Sequence, residues 1–470
     1  MTILWLIFYI STIILMGYTV LSIAYGYHHM SLFSILGLSI ALGTGCMALG
    51  LFWISLAGFK PSRTILIIMA CVFSALLAIL WKKNKLILPI IYPPLKEMLG
   101  KNYLAFICFL FIQALVIVVS IHALAFPLFE WDAFAIWGLK AKVLALESLR
   151  YPSEYFYDHS LSYSHQDYPL LFPFLVSGVY GAIGYVDDQV GKIVLPLLYI
   201  SFGLLVYSGL RWQITRNQAA ALTAFLMEIP VLLRWAGSGY ADLALTMYYA
   251  GSIFFLLKWL REEIYSDLSM AILFSVFCFF TKKEGIGLSI INVIGIGLFS
   301  INHFSRRRMI GFFLFVACTS LLLLSWIVWS WNLPRTHDNY ASQFHLRIIV
   351  ENLHRLKIII PQFLNQIIQW NRWGSLWIVL VVASLLGWRA FRKQHVIALW
   401  ALLGMHFGLY IFIYIITPWE IQSHIQVSLE RLILHITPAA ILIIGYHWNV
   451  IVRKEDIMEN DCNPLQENGK

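Results

Sequence analysis

Apolar runs too long for the core of a water-soluble domain recur from one end of this chain to the other, and that pattern leaves few folds open. Roughly 20 apolar residues are needed for a helix to span a bilayer, and runs of that order make this a polytopic membrane protein rather than a soluble core. Composition agrees. The chain is 60% hydrophobic with 12% charged residues, against about 25% charged in an ordinary soluble domain. The expected fold is all-α: a polytopic membrane protein with amphipathic helices in its outer loops.

Apolar spans are predicted near 2–25, 32–57, 64–81, 103–126, 193–210, 217–234, 243–260, 268–281, 286–301, 309–331, 373–389, 395–416 and 431–449, about 13 transmembrane helices. No acidic residue precedes Glu97, and Lys82, Lys83, Lys85, Lys96 and Lys101 cluster between the third and fourth spans. Lysines flanking spans mark the cytoplasmic side. Arg306, Arg307, Arg308, Arg389, Arg392 and Lys393 then also fall inside, while Lys60 and Arg63 fall outside, against the rule. The piece 169–184 is short and broken by Pro173, Gly178 and Gly181, and is read as re-entrant or interfacial. Residues 1–101 form an N-terminal block of helices with a basic cytoplasmic loop. Residues 102–450 form the main membrane domain, with outer loops 127–168 and 332–372. Residues 451–470 form a polar cytoplasmic tail expected to be disordered. The first run lacks a basic leader and a small-residue cleavage site, so it is read as a retained helix. The charge of +9 sits on no soluble basic surface, which argues against a nucleic-acid partner. The cysteines have no metal-site or CxxC spacing and are read as packed thiols.

Against this background Glu130–Pro169 stands out as polar and aromatic. It carries Asp132, Lys140, Lys142, Asp158, His159, His165 and Asp167. The topology puts these residues on the same side as Tyr240 and Asp242 of GYADLAL, Lys282, Lys283 and Glu284 of TKKEG, and His424, Arg431 and His435 of the last outer segment. Ionisable groups at membrane depth are costly, so their convergence on one face suggests an embedded site. Asp132 is either a helix N-cap or a general base for an acceptor hydroxyl. Lys140 lies roughly 80° from it on a helical wheel, so the two need not touch. His165 and Asp167 suit substrate binding or a structural turn. With Asp158 and His159 they also offer ligands for a divalent metal, but their spacing matches no metal motif, and no cofactor is expected. Asp242 reads as an N-cap or a site residue. Lys282, Lys283 and Glu284 read as a phosphate-binding pair with an acid, or as a self-satisfied ion pair. His424, Ser428 and Arg431 share a helix face, with His435 a turn further on. Arg431 enters an apolar span and needs an anion: a phosphate, or an internal carboxylate such as Asp132. The basic loop 332–372 has an amphipathic centre and reads as a surface connector or as a cap over a lipid phosphate. No P-loop, HExxH or Gly-x-Ser-x-Gly motif is present, so nucleotide-driven chemistry is not expected.

The segments WDAFAIWGLKAK, HQDYPLLFPFL, GYADLAL, TKKEG and TPWEIQSHIQVSLERLILHITP, in this order and on one side, resemble the GT-C superfamily of integral-membrane glycosyltransferases over roughly residues 103–450. The resemblance is to the family-39-like group related to protein O-mannosyltransferases and aminoarabinose transferases. It implies a polyprenyl-phosphate-linked sugar donor and inverting transfer to an extracytoplasmic acceptor: an envelope glycan, a lipid or a protein. It also implies a catalytic Asp in the first outer loop, which Asp132 matches, and Lys282, Lys283 and Arg431 as candidates for the donor phosphate. By the same resemblance the protein is expected in a bacterial inner membrane with its site facing the periplasm. Three spans precede the usual first one, and Glu130 and Asp132 are separated by Trp131 where many relatives have adjacent acids. A diphosphate-using polymerase or ligase, suggested by the arginines of 332–372, and a transporter or lipid flippase are the alternatives.

Overall fold

The computed structural model describes residues 1–90, 103–151, 154–334 and 340–462, with side chains of 341–342 and 453–462 excepted. Lys96, Glu97 and Lys101, which entered the charge reading, and Arg335 and Asp338 of the basic loop 332–372 lie outside the described residues. So does the end of the tail from 463 onward.

The described chain is helical apart from a two-residue parallel pairing of His29–Met30 with Leu88–Pro89. The N-terminal block contains α1 (Thr2–Tyr25), α2 (Leu32–Leu56) and α3 (Arg63–Lys82). Next come α4 (Tyr103–Ala125), the short α5 (Leu139–Leu146) and α6 (Leu171–Ile183). They are followed by α7 (Val194–Arg211), α8 (Arg216–Met227), α9 (Pro230–Gly237) and α10 (Asp242–Glu262). After these run α11 (Tyr265–Thr281), α12 (Lys283–Asn302) and α13 (Arg306–Ser330). The surface helices α14 (Leu346–Asn352) and α15 (Leu356–Ile368) precede α16 (Leu376–Leu386), α17 (Gln394–Ile416) and the long α18 (Ile421–Cys462).

Among the described residues, ten helices are long and apolar enough to cross a membrane: α1–α4, α7, α10, α12, α13, α17 and α18. This is a multi-pass membrane protein. The thirteen spans read from the sequence differ from these in three segments. The segment 217–234 is not one straight span, because α8 and α9 meet at 66° across a break that leads into Pro230, and they make an eleventh crossing only if taken together. Two further expected spans, α11 and α16, have 17 and 11 residues. Proline explains the break, since it cannot donate the amide hydrogen bond of a helix interior and its ring clashes with the preceding turn. The tail also departs from expectation, because α18 continues as helix to Cys462.

Burial separates a central set of spans from a peripheral one. Within the most apolar stretch of each, 89% of α10 and 83% of α2 and α18 are buried, against 11% of α3 and 6% of α4. The N-terminal block is therefore woven into the centre, with α2 packed against α1, α6 and α7. Small residues let the first two helices approach closely: a Cβ on Gly17 would lie 1.8 Å from the Ser39 carbonyl oxygen, and one on Gly43 would lie 1.9 Å from that of Ile13.

Helix α6 does not cross the bundle. Near its start Phe172 meets Trp137 of the polar loop, with ring centroids 6.3 Å apart. At its close Arg63 donates to the carbonyls of Ala182 (2.9 Å) and Ile183 (2.5 Å), and Gly181 lies against Pro61. Both ends thus touch loops at the same end of the bundle. Arg63 is accommodated there as a cation on the carbonyl end of a helix.

Candidate active site

The break between α11 and α12 falls on Lys282, whose extended backbone both ends one helix and starts the next. The reversal needs Gly285, where a Cβ would sit 1.9 Å from the carbonyl oxygen of Cys278. Gly239 performs the corresponding task in the GSGYAD turn, at φ +91° against Leu128 and Ala133. These two junctions, the start of the polar loop and the α18 stretch 430–435 meet at one end of the bundle.

Asp242 is the hub. It is the first helical residue of α10, whose N-cap is Ala241, and this corrects the N-cap alternative. Its fully buried carboxylate accepts from Lys282 Nζ at 2.9 Å and pairs with His435 Nε2 at 3.0 Å. Arg431 approaches its other oxygen at 3.8 Å. Lys282 also reaches Glu284 at 2.9 Å. Arg431 joins this buried group to the polar loop by donating to Asp132 Oδ2 at 2.6 Å. It also donates to the Val427 carbonyl at 3.2 Å, and its guanidinium lies over the rings of Tyr240 (5.0 Å) and Trp235 (5.7 Å). The Asp132 amide donates to the Tyr240 hydroxyl at 3.4 Å. Burial, helped by the nearby Asp132 carboxylate, raises the Tyr240 pKa, so this hydroxyl stays neutral. Asp132 stands at the N-cap of the helical turn that begins at Ala133 but makes no side-chain cap bond. Exposure falls along the line from Asp132 (23%) to Arg431 (12%) to Asp242 (0%), so the group runs from the polar loop into the bundle.

A second set lies beside it. Lys283 pairs with Asp167 at 2.5 Å and lies 4.7 Å from the Tyr168 ring centre. Lys140 faces the same ring at 5.5 Å, is completely buried, and donates to the Ser164 carbonyl at 2.8 Å. Burial holds its pKa well below the usual lysine range, with Asp167 and Asp132 opposing that shift and Lys283 adding to it. His165 adopts a left-handed conformation, φ 52°, and its ring lies against Tyr168 with centroids 4.4 Å apart.

Seven of the sequence-selected residues thus form one network: Asp132, Tyr240, Asp242, Lys282, Glu284, Arg431 and His435. Lys140, His165, Asp167 and Lys283 form the flanking set. Two residues do not join either group. Lys142 pairs instead with Asp188 at 2.8 Å, and His424 meets Thr417 Oγ1 at 2.8 Å, nearer the start of α18. Asp158 caps its own turn by accepting from the Ser160 amide at 2.8 Å. No group of three or more His, Cys, Asp or Glu among the described residues is arranged to hold a metal ion.

The sequence reading missed Glu430. Its buried carboxylate accepts from Trp235 Nε1 at 2.9 Å and binds Arg372, with Arg234 at 3.9 Å; Arg234 also reaches Glu130 at 3.2 Å. The available signal was its position beside Arg431 at the edge of an apolar run, where an acid also needs a partner. No protein-family model matches the chain, and no curated protein and no solved structure is similar to it.

Proposed function

We propose that this protein is a membrane glycosyltransferase that moves a sugar, with inversion, from a polyprenyl-phosphate donor to an acceptor hydroxyl outside the cytoplasm. One observation carries the reading: carboxylates and cations from four distant parts of the chain meet at one end of an apolar bundle, and their exposure falls steadily inward. Transfer from a phosphate needs a base on the acceptor and positive charge on the leaving group. Asp132 is the base and Arg431 the main phosphate ligand, with Lys282 and Lys283 behind it.

Three cations here (Lys282, Lys283, Arg431) face four carboxylates (Asp132, Asp167, Asp242, Glu284). Each of these three cations already holds a carboxylate, so a phosphate engages Arg431 by displacing Asp132. That exchange frees the Asp132 carboxylate to take the proton of the acceptor hydroxyl as the sugar carbon leaves the phosphate oxygen. The acid Asp242 keeps Arg431 and Lys282 in place during the exchange.

The alternative of a diphosphate-linked oligosaccharide substrate drew on the arginines of 332–372. Three of these are engaged internally: Arg347 with Glu351 at 2.8 Å, Arg355 with the Ile415 and Thr417 carbonyls, and Arg372 with Glu430. The test is release of polyprenyl phosphate from a labelled polyprenyl-phosphate hexose in membranes containing the protein. Asp132→Asn is expected to lower turnover by about 10²–10⁴-fold at unchanged protein level. Turnover at the parental rate removes Asp132 as the base, and no release by the parent protein removes the donor class.

A further inference from the structure

At the end of the bundle opposite the candidate site, α10, α12 and α17 part to leave an apolar crevice of about 220 Å³. Its walls include Leu256, Gly295, Leu298, Ile397 and Ala398, and Asn302, His303 and Gln394 lie along it. It is smaller than the 300–1,000 Å³ or so typical of compact-ligand clefts. Leu298 and Ile397 are 53% and 51% exposed, so the crevice opens sideways between helices long enough to span a bilayer. An apolar slot open to hydrocarbon at that depth is filled by hydrocarbon chain.

The polar rim selects the headgroup. The segments 258–267, 302–308 and 389–394 bring Lys258, Arg261, Arg306, Arg307, Arg308, Arg389, Arg392 and Lys393 to this end against Glu262, Glu263 and Asp267. Two acids are already used, Asp267 by Lys258 at 3.1 Å and Glu263 by Arg308 at 2.9 Å. Arg308 also donates to the carbonyl of the crevice residue His303 at 2.7 Å, which ties the arginine cluster to the crevice. Arg307 lies over the Tyr265 ring at 5.0 Å, and neither Arg306 nor Arg307 has a carboxylate partner among the described residues. Basic pockets between membrane helices take anionic phospholipid headgroups.

We propose that this crevice is a binding site for one anionic glycerophospholipid, with an acyl chain between α10, α12 and α17 and the phosphate at Arg306 and Arg307. The inference is independent of sugar transfer, because it concerns the other end of the molecule. Native mass spectrometry of the full-length protein, delipidated in detergent and titrated with phosphatidylglycerol or phosphatidylcholine of identical chains, tests it. One phosphatidylglycerol should be retained at least tenfold better than phosphatidylcholine. The exposed double substitution Arg306→Gln/Arg307→Gln should abolish that preference while leaving the core untouched. Ala398→Phe, which fills the crevice, should remove the bound lipid. Equal retention of the two lipids by the parent protein overturns the proposal. So does an unchanged preference in the arginine variant, or in a monodisperse Ala398→Phe protein.

Discussion

Replacing Asp242 by Asn would leave Lys282, His435 and Arg431 gathered around an uncharged amide in a buried position. Removing one partner of a buried ion pair costs about 3–5 kcal/mol, so Asp242→Asn is expected to lower the unfolding midpoint in detergent sharply, unlike the half-exposed Lys142→Gln. Lys140 gives a pH signature. Because burial lowers its folded-state pKa, the unfolded chain binds more protons at pH values between the folded and unfolded pKa. Stability should therefore rise as pH rises through that window. Lys140→Met, which keeps the stem but not the bond to Ser164, should flatten the slope of melting temperature against pH there. A slope equal to that of the parent protein would show that Lys140 does not produce it. At this scale much was legible in the sequence, because Asp132, Asp242, Lys282 and Arg431 are charges at helix ends or inside apolar runs and had to meet. The Arg431–Asp132 and Lys282–Glu284 pairs were among the alternatives read from the sequence, but the pairing of Asp242 with Lys282 and His435, and of Asp167 with Lys283, was not legible, because it depends on helix rotations of a few tens of degrees. Glu430 was missed for the same reason, since its partners Trp235 and Arg372 come from segments with no fixed register to α18.

Helices were the easiest feature to read, because length and hydropathy are local properties. Their exceptions lay where tertiary packing decides. The bend between α8 and α9 was not read, although Pro230 marks its place. The short α11 is apolar because neighbours bury it, whereas α16 leaves Ile378, Val381, Leu385 and Leu386 exposed. The re-entrant or interfacial reading of 169–184 rested on its shortness and on Pro173, Gly178 and Gly181, and the two ends of α6 lie against the same set of loops. Two glycines test the element level. Gly285→Val brings a branched side chain onto the Cys278 carbonyl and should destabilise the α11–α12 reversal by about 1–3 kcal/mol or more. Because that reversal carries Lys282 and Lys283, it should also reduce polyprenyl-phosphate release. Gly43→Val acts at the α1–α2 crossing and should lower thermal stability alone. Equal loss of release at matched stability in the two variants would mean that the Lys282 junction has no special role.

For the whole molecule, the N-terminal block read from sequence as an addition reaches the centre through α2, which is as enclosed as α18, while α3 stays peripheral. A chain beginning at residue 102 would expose the faces of α6 and α7 that α2 covers, and should not yield a monodisperse protein in detergent. Recovery of a stable, active truncation would contradict this packing. Long-range burial of that kind leaves no mark in the hydropathy of α2, which equals that of the more exposed α1. The contact between Asp132 and Arg431 has one more consequence, a kinetic one. While the two are joined, each blocks the partner the other would serve, so an acceptor arriving first meets a carboxylate already occupied. Under the sugar transfer proposed above, the cycle then has a compulsory order, donor before acceptor. A dead-end acceptor analogue should accordingly inhibit uncompetitively with respect to the lipid donor, whereas a random-order enzyme would show a changed slope as well as a changed intercept.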